Sequence, residues 1–307
     1  MSDFKGYLFV HFTGEHPTGE QIYFSISRDG LHWNDLNGGE PILWSKLGEK
    51  GVRDPFIIRN PFYKDGGFKF FLIATDLRIA NGKGWGVAQY EGSRDIIVWR
   101  SNDLINWEEP TAHTVGIPGA GCVWAPECIY DEEKDAIMVF WASMTKFEGD
   151  EHHKQRIFAS YTKDFKEFTE PELYIERDNH VIDTTIIKGV DGYYRYSKDE
   201  TTKHIRVDFG KTLDKNSFTD VESFVLDSIP GVEGPEIFKF NDRDEWCLIV
   251  DRFARGQGYL PLITNDLSSG EFKVLSDDEF DMGKTLKRHG GIINITDEEY
   301  IALEKLI

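Results

Sequence analysis

Two kinds of apolar strand alternate along the chain, and this repeat restricts the fold more than any other feature of the sequence. The outer kind runs into an aspartate and then an aromatic residue, as in IYFSISRDGLHW, IIVWRSNDLINW, RIFASYTKDFKEF and YLPLITNDLSSGEF, with a weaker copy in HIRVDFGKTLDKNSF. The inner kind opens with a charged or aromatic residue and recurs about every 50 to 70 residues as RDPFIIR, WAPECIY, VIDTTIIK, EGPEIFKF and RHGGIINI. Multi-stranded repeats of this length are typical of β-propeller blades.

The repeat predicts an all-β fold, a five-bladed β-propeller that forms a single domain over residues 1–307. The fifth inner strand, RHGGIINI, has no strand-rich sequence after it, whereas YLFVHF and QIYFSISRDG near the amino terminus have no inner strand before them. We therefore expect the N-terminal strands to join the last blade and close the ring. A short C-terminal helix should follow, because Thr296 and Glu299 have the spacing of a capping box.

Composition limits the partners and the compartment. The chain carries 35 Lys and Arg against 54 Asp and Glu, a formal charge of −19, which would repel nucleic acids and anionic membrane surfaces. Cys122, Cys128 and Cys247 lack metal-binding spacing, so we expect reduced thiols. No apolar segment approaches the roughly 18 residues of a membrane span, and the amino terminus lacks an export signal. We expect a cytoplasmic protein with a neutral small molecule as its partner.

Carboxylates stand at the heads of three inner strands. These are Asp54, Asp183 and Glu233, and His289 stands at the head of the fifth strand. The inner strands of a propeller line its central axis, so these side chains should meet in one funnel. Three carboxylates in one small pocket do not share one environment, and their pKa values should therefore separate. Separated acids and bases of this kind suit glycoside cleavage.

The five strand heads, RDP, WAP, ID, EGP and RHG in this order, resemble glycoside hydrolase family 43, the five-bladed arabinofuranosidases and xylosidases. The resemblance covers essentially the whole chain. It implies that Asp54 is the general base, that Glu233 is the general acid, and that Asp183 holds and tunes this acid. It also implies that His289 faces a water or a bound calcium ion at the funnel base. We expect no cofactor to be required.

Two positions depart from the family pattern. Thr184 stands where the family commonly has proline, which weakens the assignment of Asp183, and Glu127 stands where aspartate is frequent.

Three further residues are predicted to bind substrate. Trp124 could stack on a sugar ring or fill the entrance of its blade. Trp85, in the segment ANGKGWGVAQYEG, could wall a subsite or pack on its own blade. Arg252 could bind a sugar hydroxyl, pair with Glu233 or form a structural ion pair.

The resemblance implies an inverting, exo-acting glycoside hydrolase for short oligosaccharides, with α-L-arabinofuranosidase as the first expectation. A β-D-xylosidase or a β-D-galactofuranosidase stays open, since these sugars present similar hydroxyl patterns. The alternative from another class is a non-catalytic carbohydrate-binding propeller, which the presence of all three carboxylates disfavours.

The residues disfavour two other enzyme classes. The stretch HWNDLNGG imitates a fructosidase signature with Asp35 as nucleophile, but Asp35 falls inside the outer-strand repeat beside Trp33. A phosphorylase would need several basic residues in the funnel to hold phosphate, and the strand heads are mainly acidic.

Overall fold

Five sheets of four strands each make up the fold in the computed structural model, which describes residues 4–64 and 67–307. The N-terminal strands are β1 (Phe4–His11), β2 (Tyr23–Ser27) and β3 (Trp33–Asp35). Blade 1 consists of β4 (Val52–Arg59), β5 (Phe70–Asp76), β6 (Asp95–Ser101) and β7 (Thr111–Thr114). Blade 2 consists of β8 (Trp124–Asp131), β9 (Ala136–Thr145), β10 (Lys154–Thr162) and β11 (Glu172–Ile175).

The remaining strands complete the ring. Blade 3 consists of β12 (Val181–Lys188), β13 (Tyr193–Asp199), β14 (His204–Gly210) and β15 (Phe218–Val221). Blade 4 consists of β16 (Glu233–Lys239), β17 (Trp246–Asp251), β18 (Tyr259–Thr264) and β19 (Lys273–Val274). Blade 5 joins β20 (Gly290–Thr296) to the N-terminal strands in the order β20, β1, β2, β3. The predicted five-bladed propeller is confirmed.

The helices are few and short. They are α1 (Trp85–Tyr90), α2 (Phe224–Asp227) and α3 (Asp297–Glu304). Single 3-10 turns cover Asn37–Gly39, Lys215–Ser217, Phe253–Arg255 and Leu267–Ser269. Within residues 4–64 and 67–307, no helix has the length and apolar character needed to cross a membrane.

Blade 5 is closed by strands from both ends of the chain. Strand β20 pairs antiparallel with β1 from Phe4 opposite Thr296 to His11 opposite Gly290. Helix α3 follows directly, and its first turn carries the predicted capping box between Thr296 and Glu299. The closure therefore joins the two ends of the described chain by backbone hydrogen bonds.

The hydrophobic core lies between neighbouring blades. Every residue of β5 is buried, and successive side chains of a strand point to opposite faces. Leu72 accordingly packs in the cluster shared with blade 5, whereas Phe71 and Ile73 pack in the cluster shared with blade 2. Three further clusters fill the other blade contacts in the same way. This two-sided burial explains why the middle strands read as continuous apolar runs.

The outer repeat forms a hydrogen-bonded turn at the end of the third strand in blades 1, 2 and 4, and after β2 in blade 5. In blade 1, the Ser101 hydroxyl accepts from the backbone N–H of Leu104, and Asp103 accepts from the N–H groups of Ile105 and Asn106. The equivalent pairs are Ser27 with Asp29, Thr162 with Asp164, and Thr264 with Asp266. The repeated aspartates are therefore turn residues, and Trp33, which follows one of them, is buried.

The closure predicts a specific sensitivity at Gly290. A Cβ atom there would lie 2.0 Å from the Val10 carbonyl oxygen and 2.8 Å from the His11 Cα, both in the backbone of β1. Gly290→Ala should therefore lower the free energy of unfolding by about 1–3 kcal/mol or more, as overpacking does. Urea unfolding followed by tryptophan fluorescence measures this.

Gly86→Ala provides the control, because a Cβ at Gly86 in α1 meets no atom within 4 Å. That substitution should be neutral or stabilising by up to about 1 kcal/mol. Equal stabilities of the two variants would contradict the described closure.

Candidate active site

The heads of four inner strands share one unusual backbone conformation. The φ angle is 49° at Asp54, 47° at Ala125, 47° at Asp183 and 49° at Gly234. The pairing with the second strand shifts register at each of these positions. Non-glycine residues seldom adopt this left-handed region, and aspartate does so more readily than most. Because a β-bulge re-aims a side chain, the same device turns Asp54 and Asp183 into the funnel.

The missing proline after Asp183 leaves this geometry intact. The other three bulges have Pro55, Pro126 and Pro235 at this place. Thr184 replaces the proline, and its hydroxyl lies 2.8 Å from the Ser197 hydroxyl on β13. Asp183 keeps its left-handed conformation, and its Oδ2 atom accepts a 3.2 Å hydrogen bond from the Gly234 N–H.

All four predicted strand-head residues line one funnel of about 470 Å³. Its size is that of a small-ligand site. Asp54 comes from blade 1, Asp183 from blade 3, Glu233 from blade 4, and His289 directly precedes β20 of blade 5. The structure therefore brings together the residues that the sequence placed on separate blades.

Asp54 is fixed at the funnel floor by a neighbouring threonine. The Thr75 hydroxyl donates to Asp54 Oδ2 at 2.9 Å and accepts from the Ala125 N–H at 2.8 Å. The second oxygen of Asp54 lies 3.6 Å from His289 Nδ1, and Asp183 Oδ1 lies 3.8 Å from the same nitrogen. One imidazole thus lies between two of the three carboxylates.

His289 carries a positive charge at the propeller axis. Burial would lower its pKa, but the negative charges of Asp183, Glu127 and Asp54 outweigh burial and raise the pKa to about 10. Its Nε2 atom lies 3.6 Å from Glu127 Oε1. The imidazolium therefore balances the carboxylates that surround it.

Glu127, which the sequence identified only as a departure from the family pattern, lies next to the site. It is buried, burial raises its pKa to about 7, and neither carboxylate oxygen has a hydrogen-bond partner within the described part of the chain. Glu236 is buried beside it and accepts from Thr185 and from the Ile292 N–H. A signal was present in the sequence, because WAPE and EGPE repeat a glutamate three residues after the strand head.

The calcium ion suggested for the funnel base does not fit this donor set. Calcium takes six to eight oxygen ligands, and the described residues contain no group of three or more His, Cys, Asp or Glu side chains that could hold a metal ion. The protonated His289 would also repel a cation. The neighbours of His289 at the funnel base are the carboxylates of Asp54, Asp183 and Glu127.

Glu233 is clamped by two cations. Lys198 Nζ lies 2.8 Å from one carboxylate oxygen, and Arg288 Nη2 lies 2.6 Å from the other. Burial would raise the pKa of Glu233, but these two charges outweigh it and lower the pKa to about 2. Burial raises the pKa of Asp183 to about 6 against the opposing charges of His289 and Lys198. In the substrate-free funnel, Asp183 is therefore the more readily protonated of the two.

The funnel is less acidic than the strand heads suggested. Arg53, Lys198, Lys203 and Arg288 all line it. Each of them is paired with carboxylates: Arg53 contacts Glu20, Lys203 contacts Glu200, and Arg288 contacts Asp251 as well as Glu233. The basic residues therefore form neutralised pairs and present no free cluster for phosphate.

Arg252 requires a correction. Its guanidinium donates to the carbonyl oxygens of Gln257, Gly258 and Tyr259, and it does not line the funnel. Arg288 takes the place beside Glu233 that was suggested for Arg252. The structural interpretation of Arg252 is the one that the geometry supports.

The two predicted aromatic residues do reach the funnel. Trp85 and Trp124 both line it, with ring centroids 5.9 Å apart and planes at 82°. Trp85 lies on the short helix α1, which the sequence pattern did not predict. Each indole therefore faces the funnel and also contacts a ring from the neighbouring blade.

Asp35 is a structural residue. Its carboxylate accepts from the Ser25 hydroxyl, from the N–H groups of Lys284 and Thr285, and from Lys287 Nζ at 2.6 Å. These bonds fasten the segment that leads to His289. The fructosidase interpretation, which needs Asp35 as a nucleophile, is therefore not supported.

Similarity to known proteins agrees with this geometry. The sequence profile of the family described as "Probable glycosyl hydrolase domain", which is related to glycoside hydrolase family 43, matches residues 2–301. The chain belongs to this family. The hydrolase domain is similar to an α-L-arabinofuranosidase of Bifidobacterium longum subsp. longum, with 29% identity over 297 residues. The match covers 81% of the domain and 27% of that relative, so the chain spans about a quarter of the relative's length.

Solved structures share the fold of the hydrolase domain. A β-1,3-galactosidase of family 43 matches with a TM-score of 0.61 and 13% identity, over 92% of this chain and 58% of that one. The catalytic domain of a family 62 α-L-arabinofuranosidase from Coprinopsis cinerea matches with a TM-score of 0.54 and 12% identity, over 81% of this chain and 75% of that one. At these identities, the likeness shows the fold alone.

The opposite pKa shifts of Asp183 and Glu233 predict opposite effects on stability. The folded-state pKa of Asp183 is raised from 3.8 to about 6, so its ionisation destabilises the folded hydrolase domain as pH rises through this window. Asp183→Asn should therefore raise the free energy of unfolding at pH 8, on the order of 2 kcal/mol, and the gain should nearly vanish at pH 4. Urea unfolding at the two pH values measures this.

Glu233→Gln is the matched comparison. The folded-state pKa of Glu233 is lowered from 4.5 to about 2, so its charge stabilises the fold above this window and the stabilisation is lost as pH falls through it. Its removal leaves Lys198 and Arg288 without this partner and should destabilise the domain at pH 8. Destabilisation by both substitutions at pH 8 would contradict the described electrostatics.

Proposed function

We propose that the domain removes terminal sugars from short oligosaccharides by a single displacement at the anomeric carbon, with α-L-arabinofuranose as the first choice of sugar. The observation that carries the proposal is the meeting of Asp54, Asp183 and Glu233 in one funnel from three different blades. His289 lines the floor of this funnel, and the side chain of Glu127, 3.6 Å from His289, is buried. A funnel that is closed at its base favours chain ends over internal linkages.

Asp54 acts as the general base in this proposal. The Thr75 hydroxyl donates to one of its oxygens, and the His289 imidazole lies 3.6 Å from the other. A carboxylate that is fixed in this way can take a proton from a water molecule as the water attacks the sugar. Asp54 then carries that proton until it is lost to solvent.

Glu233 acts as the general acid, and the clamp sets a condition on this role. An acid with a pKa of about 2 holds almost no proton near neutrality. Sugar hydroxyls that accept hydrogen bonds from Lys198 or Arg288 would weaken the clamp and raise the pKa of Glu233. The negative charge of Asp183 acts in the same direction, because like charges disfavour a second ionisation.

We chose α-L-arabinofuranose because the sequence relative is an α-L-arabinofuranosidase; the shared fold does not indicate a particular sugar. The relative of 29% identity is an arabinofuranosidase, but it is much longer than this chain. A β-D-xylosidase and a β-D-galactofuranosidase are the alternatives. Nitrophenyl glycosides of these sugars, with the β-D-galactopyranoside added, form the panel that decides among them.

Substitution of the two proposed catalytic carboxylates should separate their roles. Asp54→Asn should lower kcat/KM by roughly 10² to 10⁴-fold on every substrate, because the water must be activated whatever group departs. Glu233→Gln should cost a similar factor on oligosaccharides but much less on nitrophenyl glycosides, since a nitrophenolate leaves without a proton. Steady-state kinetics on both substrate types measures the difference.

Asp35→Asn is the control for loss of a buried carboxylate outside the funnel. Once folding is verified, this variant should keep the substrate profile of the unmodified domain. Equal losses on good and poor leaving groups in Glu233→Gln would remove Glu233 from the acid role.

A further inference from the structure

We infer that Asp251 is a positioning residue for the proposed acid: it takes over Arg288 whenever Glu233 carries the proton that the reaction requires. This inference rests on the proposed function, in which Glu233 is the general acid, and it assigns a role to a residue that this function does not use. Asp251 is not among the described residues that line the funnel, so it acts through Arg288 and not on the substrate. The three side chains are called the arginine bridge below.

The arginine bridge joins two carboxylates that the sheet places opposite each other. Glu233 on β16 pairs with Asp251 on β17 in the ladder of blade 4, and like charges at opposite positions destabilise a sheet. Arg288 contacts both of them. Its Nε atom lies 2.6 Å from Asp251 Oδ2, and its Nη2 atom lies 2.6 Å from Glu233 Oε1. One guanidinium therefore serves two carboxylates.

Asp251 has a free acceptor for the second N–H group of Arg288. Its side chain is 1% exposed, and its Oδ1 atom has no hydrogen-bond partner within residues 4–64 and 67–307. A carboxylate can accept two parallel N–H groups from one guanidinium. The Arg288 backbone is fixed, because its N–H donates to the Phe12 carbonyl. Once Glu233 has taken up a proton, a turn of the side chain therefore brings Nη2–H to Asp251 Oδ1.

A proton on Glu233 leaves two largely buried cations in need of another partner. Lys198 has one already, because its Nζ atom lies 2.6 Å from Glu200 as well as 2.8 Å from Glu233. For Arg288 this partner is Asp251, since no third carboxylate contacts it within the described part of the chain. A buried charge without a partner is strongly destabilising. Without Asp251, the protonated form of Glu233 would therefore leave Arg288 uncompensated.

The other ionisable groups around the arginine bridge do not replace Asp251. The carboxylate of Asp183 lies beside His289, which is itself a cation. Tyr259 stands opposite Asp251 in the ladder, and its hydroxyl is already bonded to two backbone groups. Asp251 is thus the anion that is placed to compensate Arg288 in the protonated state of the acid.

Urea unfolding at pH 8 tests this transfer without any turnover. Glu233→Gln imitates the protonated acid, and Asp251→Asn removes the charge of the second partner. Asp251→Asn alone should fold, because Glu233 then keeps Arg288 and because burial raises the pKa of Asp251 to about 6 against the opposing charge of Arg288. In the Glu233→Gln domain, the same substitution should cost roughly tenfold more in the equilibrium constant of unfolding, since Arg288 then has no carboxylate.

Asp208→Asn is the matched control. Asp208 is a buried carboxylate that pairs with Arg177 and Arg195 in blade 3, and it is not among the described residues that line the funnel. Its effect on stability should be the same with and without Glu233→Gln. Additive effects of Asp251→Asn and Glu233→Gln would overturn the inference, and so would an Asp251→Asn domain that does not fold.

Kinetics tests the consequence for the proposed acid. The substrates are the nitrophenyl glycoside that the panel selects and a disaccharide of the same sugar. Asp251→Asn should move the alkaline limb of the kcat profile on the disaccharide down by about one pH unit, which is a loss of about tenfold on that limb. The rate on the nitrophenyl glycoside should change much less, because nitrophenolate leaves without a proton. A role confined to folding would lower both rates equally, and that result would overturn the inference.

The two experiments separate this inference from the proposed function. A domain that cleaves no glycoside but shows the non-additive unfolding loses only the proposed activity. A domain that cleaves glycosides but shows additive unfolding loses only the role of Asp251.

Discussion

The left-handed backbone at the heads of the inner strands is the constraint on which the site depends. Five strands converge on one axis, and a regular strand would alternate its side chains between the two neighbouring blades. The bulges at Asp54 and Asp183 break that alternation and turn the carboxylates inward. At the head of the fourth inner strand, the left-handed residue is Gly234, and the functional side chain is that of the preceding residue, Glu233. The closed ring holds these strained residues in place.

Concentrating carboxylates at the axis creates an electrostatic problem that the structure solves in two layers. At the floor of the funnel, the His289 imidazolium lies among Asp54, Asp183 and Glu127. Within the funnel, Lys198 and Arg288 compensate Glu233. The result is a set of carboxyls with widely separated pKa values, which general acid–base chemistry requires. The pKa of Glu233 therefore depends on its ion pairs with Lys198 and Arg288, and in the proposed mechanism substrate hydroxyls that bind these two cations would raise it.

The sequence predicted the blades, the closure and the meeting of four strand-head residues, because these follow from repeat order and strand period. It did not predict partners that depend on how neighbouring blades are rotated. Lys198 lies on the second strand of blade 3 and contacts Glu233 of blade 4. Arg288, and not Arg252, is the arginine that pairs with Glu233. Helix α1 was not predicted because it has only six residues, with a glycine at its N-cap and another inside it, which is too short for a periodic signal.

The anomeric configuration of the released sugar tests the central claim most directly. If Asp54 activates water on the face opposite the leaving group, proton NMR in the first minutes of hydrolysis should show the inverted anomer before mutarotation mixes the two forms. Retention of configuration would mean that a carboxylate attacks the sugar directly. That result would contradict the roles assigned to Asp54 and Glu233.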